Sequence, residues 1–189
     1  SFRWLSAQEI TVAGHKVWAF RMSYAGELGW ELHMPFAAMA DVYTALCDAG
    51  EPHGITDYGS FAMNVMRMEK GFLHWKADLL TEFTPFETSL DRFIKMDKGD
   101  FIGKEALEQR MLDGLRTKLV TMVIDDDIAP AHGGASIMVD GRVIGTVSSG
   151  DYGHRVGKNI AYAFVDPEFA AQGTKFEIDI IENPEILIF

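Results

Sequence analysis

Two carboxylates, Glu27 and Glu31, flank Trp30 in the stretch Arg21-Met-Ser-Tyr-Ala-Gly-Glu-Leu-Gly-Trp-Glu-Leu-His33, and Tyr24 sits just upstream. An ionised carboxylate only accepts hydrogen bonds, so it suits a flat ring rich in N–H donors, and a nearby aromatic can stack on that ring. Gly26 and Gly29 leave room for close approach to the backbone. If the segment is strand, turn, strand, then Glu27, Gly29 and Glu31 share one face. Leu28, Trp30 and Leu32 then share the other. The same pattern also describes a half-buried strand with a solvated acidic edge, and this stretch alone leaves both readings open.

Further along, Arg67 follows Asn64 by three residues in a helical pattern. It reads either as a solvent-facing arginine complementing a helix C-terminus or as a fork aimed at a carboxylate tail. His74, Trp75 and Asp78 cluster next, with no second histidine at metal-ligand spacing. The six histidines are scattered, and no Gly-x-Ser-x-Gly elbow exists. Glu27, Glu31 and Asp78 could serve acid–base chemistry, but such residues occur in every soluble chain and name no reaction.

These residues need elements to hold them. Ile10 to Phe20 reads as a hairpin turning at Ala13-Gly14-His15 and running into the acidic stretch. Phe36, Met39, Val42, Tyr43, Leu46 and Cys47 recur at helical spacing, so residues 36–49 form an amphipathic helix ended by Gly50, with Cys47 in the core. A second helix spans about 59–70, capped by Asp57 or Ser60, with Phe61, Val65 and Met68 on its apolar face. Residues 90–96 read as a short strand, and a helix follows that ends near Gly114. From Thr117 onward, strand-like runs at 118–124, 135–139, 142–148, 159–165 and 175–181 alternate with glycine turns, Asp140-Gly141 being the clearest. The fold class is therefore α+β. An α+β part over 1–116 precedes a small antiparallel barrel or Greek-key domain over 117–189.

With 189 residues and nearly half of them hydrophobic, the chain can build a core without staples. Its single cysteine, Cys47, excludes an internal disulfide. A net charge of −11 argues against nucleic acid or an anionic membrane as partner. No apolar run approaches the ~20 residues of a membrane span. The start, Ser1-Phe-Arg-Trp-Leu, has neither Met nor signal-peptide character and reads as mid-protein.

Four motifs in order resemble the aminomethyltransferase (glycine-cleavage T-protein) folate-binding family. They are Arg21-x-Ser-Tyr-x-Gly-Glu-Leu-Gly-Trp-Glu-Leu, Met66-Arg-Met-Glu-Lys-Gly-Phe-x-x-Trp, Thr84-Pro-x-Glu, and Asp97-Lys-Gly-Asp-Phe-Ile-Gly-Lys-Glu-Ala-Leu. Within the family, the Glu-Lys-Gly-Phe-x-x-Trp form is most similar to the folate-binding part of dimethylglycine and sarcosine dehydrogenases. Ala163-Phe-Val-Asp-Pro-Glu-Phe-Ala resembles a segment of the family's C-terminal barrel.

The resemblance implies tetrahydrofolate as ligand, with Glu31 receiving the pterin N–H edge and Tyr24 lining its pocket. Arg67 would then lie near the glutamyl end and Trp75 would pack against the ligand. It places the family's catalytic acid upstream of this chain, so no catalytic residue is expected here. FAD is expected in a further part of the parent, and the fragment alone is expected to be inactive. The implied activity is oxidative demethylation of a methylated glycine, with the one-carbon unit passing to tetrahydrofolate. A stand-alone aminomethyltransferase or a non-catalytic inter-domain module are the alternatives. Lys98-Gly99-Asp100 lacks the cysteine of the iron–sulfur-assembly relatives. Cytoplasm, or the mitochondrial matrix in a eukaryote, is the implied location. The reading requires Glu31 to face a cavity wide enough for a bicyclic ring.

Overall fold

A computed structural model describes residues 2–125 and 129–180. The backbone forms two compact units that divide between Lys70 and Gly71.

The first unit opens with a three-stranded antiparallel sheet, β1 (Ala7–Val12), β2 (His15–Phe20) and β3 (Glu31–His33), in that order. Ala13 and Gly14 make a two-residue turn with φ of 49° and 79°. Positive φ at both positions matches the twist of the paired strands, which is why a glycine belongs there. Val17 and Ala19 point into the interior. The acidic stretch is not strand, turn, strand: β3 has three residues, and 21–30 is an irregular loop. The alternation that would place Glu27 and Glu31 on one face therefore does not apply.

A 3-10 turn at Phe36–Ala38 leads into α1 (Met39–Gly50), and α2 spans Ser60–Glu69. Of the apolar residues on α1 only Val42 is fully buried, whereas Phe36, Met39, Tyr43 and Leu46 are exposed. Cys47 is half-buried rather than in the core. Gly59 occupies the N-cap of α2, with no side-chain cap. Asp57 accepts instead from the Tyr43 hydroxyl at 2.7 Å. Val65 and Met68 are buried, but Phe61 is largely exposed.

The second unit carries α3 (Lys104–Asp113) and five strands: β4 (Lys118–Ile124), β5 (Ser136–Val139), β6 (Arg142–Gly153), β7 (Lys158–Val165) and β8 (Glu177–Ile178). Gly114, with φ of 81°, follows α3. The sheet order is β4-β7-β6-β5-β8, all antiparallel. Strands β5, β6 and β7 meander, and β8 returns beside β5, which is a Greek key. Among the described residues the sheet stays open, with β4 and β8 as its edges, rather than closing into a barrel. Ile181, the end of the run 175–181, lies outside the described residues. Central β7 is buried from Asn159 to Ala163, as a strand paired on both sides should be.

Residues 90–96 are not a strand. Asp91–Phe93 form a 3-10 turn, because the Leu90 N–H is taken by the Pro85 carbonyl at 2.8 Å and Ser89 has φ of 61°. The Thr84-Pro-x-Glu motif explains that local economy. Glu87 is fully buried, and its Oε2 accepts from the Thr84 N–H (2.7 Å) and hydroxyl (3.0 Å). Oε1 accepts from the Arg116 N–H at 3.4 Å, with Arg116 Nε at 3.7 Å. The Glu87 carbonyl takes the Leu119 N–H at 2.7 Å, so this turn sets where β4 begins.

Burial pushes the Glu87 carboxyl up, but the donors of Thr84 and Arg116 outweigh it and hold the group below its ordinary value of 4.5. A folded-state value below the unfolded one stabilises above the unfolded value and is lost as pH falls through the folded value. Glu87→Gln should therefore cost about 1.5–3 kcal/mol at neutral pH. It should also flatten the loss of stability below the ordinary carboxylate range. Urea melts of both proteins across pH 3–7 check this; parallel pH profiles would remove Glu87 from the account.

Candidate functional site

The loop 21–30 gains its shape from contacts that hydrophobic alternation does not report. Gly26 has φ of 73°, and its N–H reaches the Ser23 carbonyl at 3.2 Å. A Cβ at Gly26 would collide with the Cβ and Cγ of Lys70, whose Nζ lies 3.8 Å from Glu27. Glu27 is thus paired at the end of α2 instead of being held beside Glu31. Arg21 donates from Nη1 to the Phe2 carbonyl, and its guanidinium lies 6.0 Å from the centre of the Trp30 ring. Trp30 keeps close to half its surface open.

Glu31 is the first residue of β3, opposite Phe20. Its side chain is 48% exposed, and one oxygen lies 3.5 Å from His33 Nε2. His33 packs against Phe20 with ring centres 4.7 Å apart. The strand period puts residues 31 and 33 on one face, so a histidine two positions on was a readable partner that sequence reasoning missed. Tyr24 is half-buried in the same loop.

The solvent-facing reading of Arg67 fails, since it is 1% exposed. Its Nε and Nη2 donate to Asn64 Oδ1 at 3.0 and 2.9 Å, so one turn of helix supplies a partner inside the unit. Trp75 belongs to the second unit and is 64% exposed. Asp78, a candidate for acid–base work, is fully buried and accepts from His74 N–H, Ser148 and Ser149.

Glu31 lines none of the hollows described next, so the cavity expected beside it is not among them. Cavities lie elsewhere, among them one of about 990 Å³ beside β4 and residues 169–180 and one of about 510 Å³ over β6. Neither these nor the smaller hollows beside α1 are lined by Tyr24, Glu31, Arg67 or Trp75. Tyr24, Glu31 and Arg67 share the first unit, and Trp75 does not. Among the described residues no group of three or more His, Cys, Asp or Glu is placed to hold a metal, and no helix is long and apolar enough to cross a membrane.

The described residues form an α+β unit followed by an open antiparallel Greek-key sheet. Comparison with known proteins gives the family. The family model described as "GCVT N-terminal domain" matches residues 1–98, and the "Glycine cleavage T-protein C-terminal barrel domain" matches residues 117–186. The chain belongs to the glycine cleavage T-protein family.

It is 35% identical to mouse mitochondrial dimethylglycine dehydrogenase over 96% of this chain and 21% of that protein. Human mitochondrial sarcosine dehydrogenase is 40% identical, over 92% and 19%. Aminomethyltransferase of Thermoanaerobacter pseudethanolicus is 33% identical, over 93% and 47%. The chain therefore spans about a fifth of those dehydrogenases and about half of that aminomethyltransferase. The crystal structure of aminomethyltransferase T from Bartonella henselae shares the fold, with a TM-score of 0.83 at 21% identity over 95% of this chain and 49% of that one.

The loop geometry makes a direct prediction. Gly26→Ala forces a left-handed backbone on alanine and pushes against Lys70. It should lower stability by about 1–3 kcal/mol. Thermal unfolding of both proteins checks it, and an unchanged midpoint would show that the loop does not need this conformation.

Proposed function

We propose that this chain is the tetrahydrofolate-binding portion of a one-carbon-transfer enzyme. In the parent, a methylated glycine would lose hydride to FAD held outside this chain, and the carbon would pass to tetrahydrofolate. What carries the reading is the family match over residues 1–98 and 117–186; the cavity it requires beside Glu31 is not supplied by the hollows described in this chain and would have to be completed by the rest of the parent. The similarity to dimethylglycine and sarcosine dehydrogenases over more than nine-tenths of the chain supports the oxidative form. A stand-alone aminomethyltransferase is the second reading, supported by a relative of which the chain spans about half.

An acceptor carboxylate suits a reduced pterin. That ring presents an amino group and a ring N–H along one edge, and an ionised carboxylate can accept both. In the proposed complex Glu31 takes this edge and Tyr24 lines the ring. Arg67 has its guanidinium committed to Asn64 and would shape the wall towards the glutamyl end rather than reach into open solvent. The rest of the wall would come from the remainder of the parent, which accounts for a site that is open here. These residues bind and orient, and holding the reacting nitrogen and carbon in attack geometry is itself a large part of catalysis. The acid catalyst and the flavin would belong to the parent outside this chain, and the chain alone would then not turn over. The mitochondrial matrix in a eukaryote, or the cytoplasm in a bacterium, suits this role.

In the intact parent, Glu31→Ala should weaken tetrahydrofolate by roughly tenfold to over a hundredfold, the equivalent of about 1.5–3 kcal/mol. Reduction of the flavin by dimethylglycine or sarcosine should be nearly unchanged. Calorimetric titration and flavin bleaching measure the two effects separately. Equal folate affinities would remove Glu31 from the site, and no bleaching by either amine would reject the dehydrogenase form.

A further inference from the structure

We propose that the open sheet of the second unit is a strand acceptor. The strand it takes is residues 185–189 of this chain, which lie beyond the described residues.

The hollow of about 990 Å³ runs along the edge of β4, and every residue from 118 to 125 borders it. Successive residues of a strand point to opposite faces. A hollow bordered by all of them therefore lies at the strand's edge and not over one face. Phe176, Ile178 and Ile180 border the same space. Both edges of the sheet, β4 and β8, thus open onto one hollow.

Hydrogen bonding fixes which backbone groups face it. On an antiparallel strand, alternate residues turn their N–H and C=O to one neighbour and the rest to the other. The Leu119 N–H goes to the Glu87 carbonyl at 2.7 Å, away from β7. Thr121 and Val123 therefore turn their groups away from β7 as well. At the other edge the Asp179 N–H goes to the Ser136 carbonyl of β5 at 3.0 Å, so Ile178 turns its groups away from β5. Among the described residues no strand or turn takes up these outward groups. A small molecule could not pair two rows of main-chain groups, whereas one strand can.

Direction selects the strand. Each pair in the order β4-β7-β6-β5-β8 is antiparallel, so β4 and β8 run the same way. One strand between them can be antiparallel to both, and a segment turning straight back after β8 has that direction. Glu182-Asn183-Pro184 carries a turn signal, and Ile186-Leu187-Ile188-Phe189 is a strand-forming run. A three-residue turn would set Ile186 opposite Ile180 and Ile188 opposite Ile178, on the face where Ile178 and Ile180 pack against the core. Leu187 and Phe189 would then fall on the other face, where Val123 is 56% exposed.

The test is hydrogen exchange at single amides in the intact parent. Thr121 and Val123 should exchange at least about a hundredfold more slowly than free amides. Leu187→Pro removes the N–H that would face β4. It should return both amides to fast exchange while Met122, which faces β7, stays protected. Fast exchange of Thr121 and Val123 in the unaltered parent overturns the strand acceptor. Slow exchange that Leu187→Pro leaves unchanged means a strand from another source, such as a second copy, and overturns the assignment to residues 185–189. If Leu187→Pro does not fold, Val123→Cys is combined in turn with Glu185→Cys, Leu187→Cys and Phe189→Cys. A disulfide under mild oxidation in one of these pairs supports the assignment, and none in any of them overturns it.

Discussion

A carboxylate taken out of water must be met by donors at both oxygens; Glu87 and Asp78 meet that constraint, whereas Glu31 stays half in water and does not face it. Glu87 and Asp78 are fully buried and surrounded by N–H and O–H groups. Both oxygens of each are engaged, and their work is structural: one sets the start of β4, the other fixes the tryptophan turn. Glu31 sits at a strand start with half its side chain exposed and a histidine at 3.5 Å. The difference in saturation, rather than the presence of carboxylates, separates a scaffold acid from one able to receive a ligand.

The chain spans only part of its relatives' length. The aminomethyltransferase relative is about twice the length that the match spans, and the dehydrogenases about five times. Phe36, Met39, Tyr43 and Phe61 stand exposed on the same unit that carries Glu31. The ligand contacts proposed for Tyr24, Glu31 and Arg67 sit in the first unit, and Trp75 lies in the second.

Much of the fold was legible where chemistry is local. Ala13-Gly14 and Asp140-Gly141 announced their turns because a left-handed backbone favours glycine, and both turns carry positive φ at each residue. The run 118–124 formed β4 with those bounds, its Val120, Thr121, Val123 and Ile124 being β-branched residues suited to a paired strand. What failed depended on distant partners. Alternation read 21–33 as paired strands, but the fold of this loop is decided at Gly26 by its contact with Lys70, more than 40 residues on. Arg67 looked equally suited to the surface, and only the packed helix shows it buried on Asn64. The bulge at Ser148 was not read from the sequence, and there the Ser148 hydroxyl meets a carboxylate 70 positions away.

The central claim is that Glu31 holds the pterin edge of tetrahydrofolate. A crystal structure of the intact parent with tetrahydrofolate bound tests it most directly. The account predicts the amino edge of the ring within hydrogen-bonding distance of both Glu31 oxygens. A ring bound elsewhere, with Glu31 still facing solvent beside His33, would contradict it.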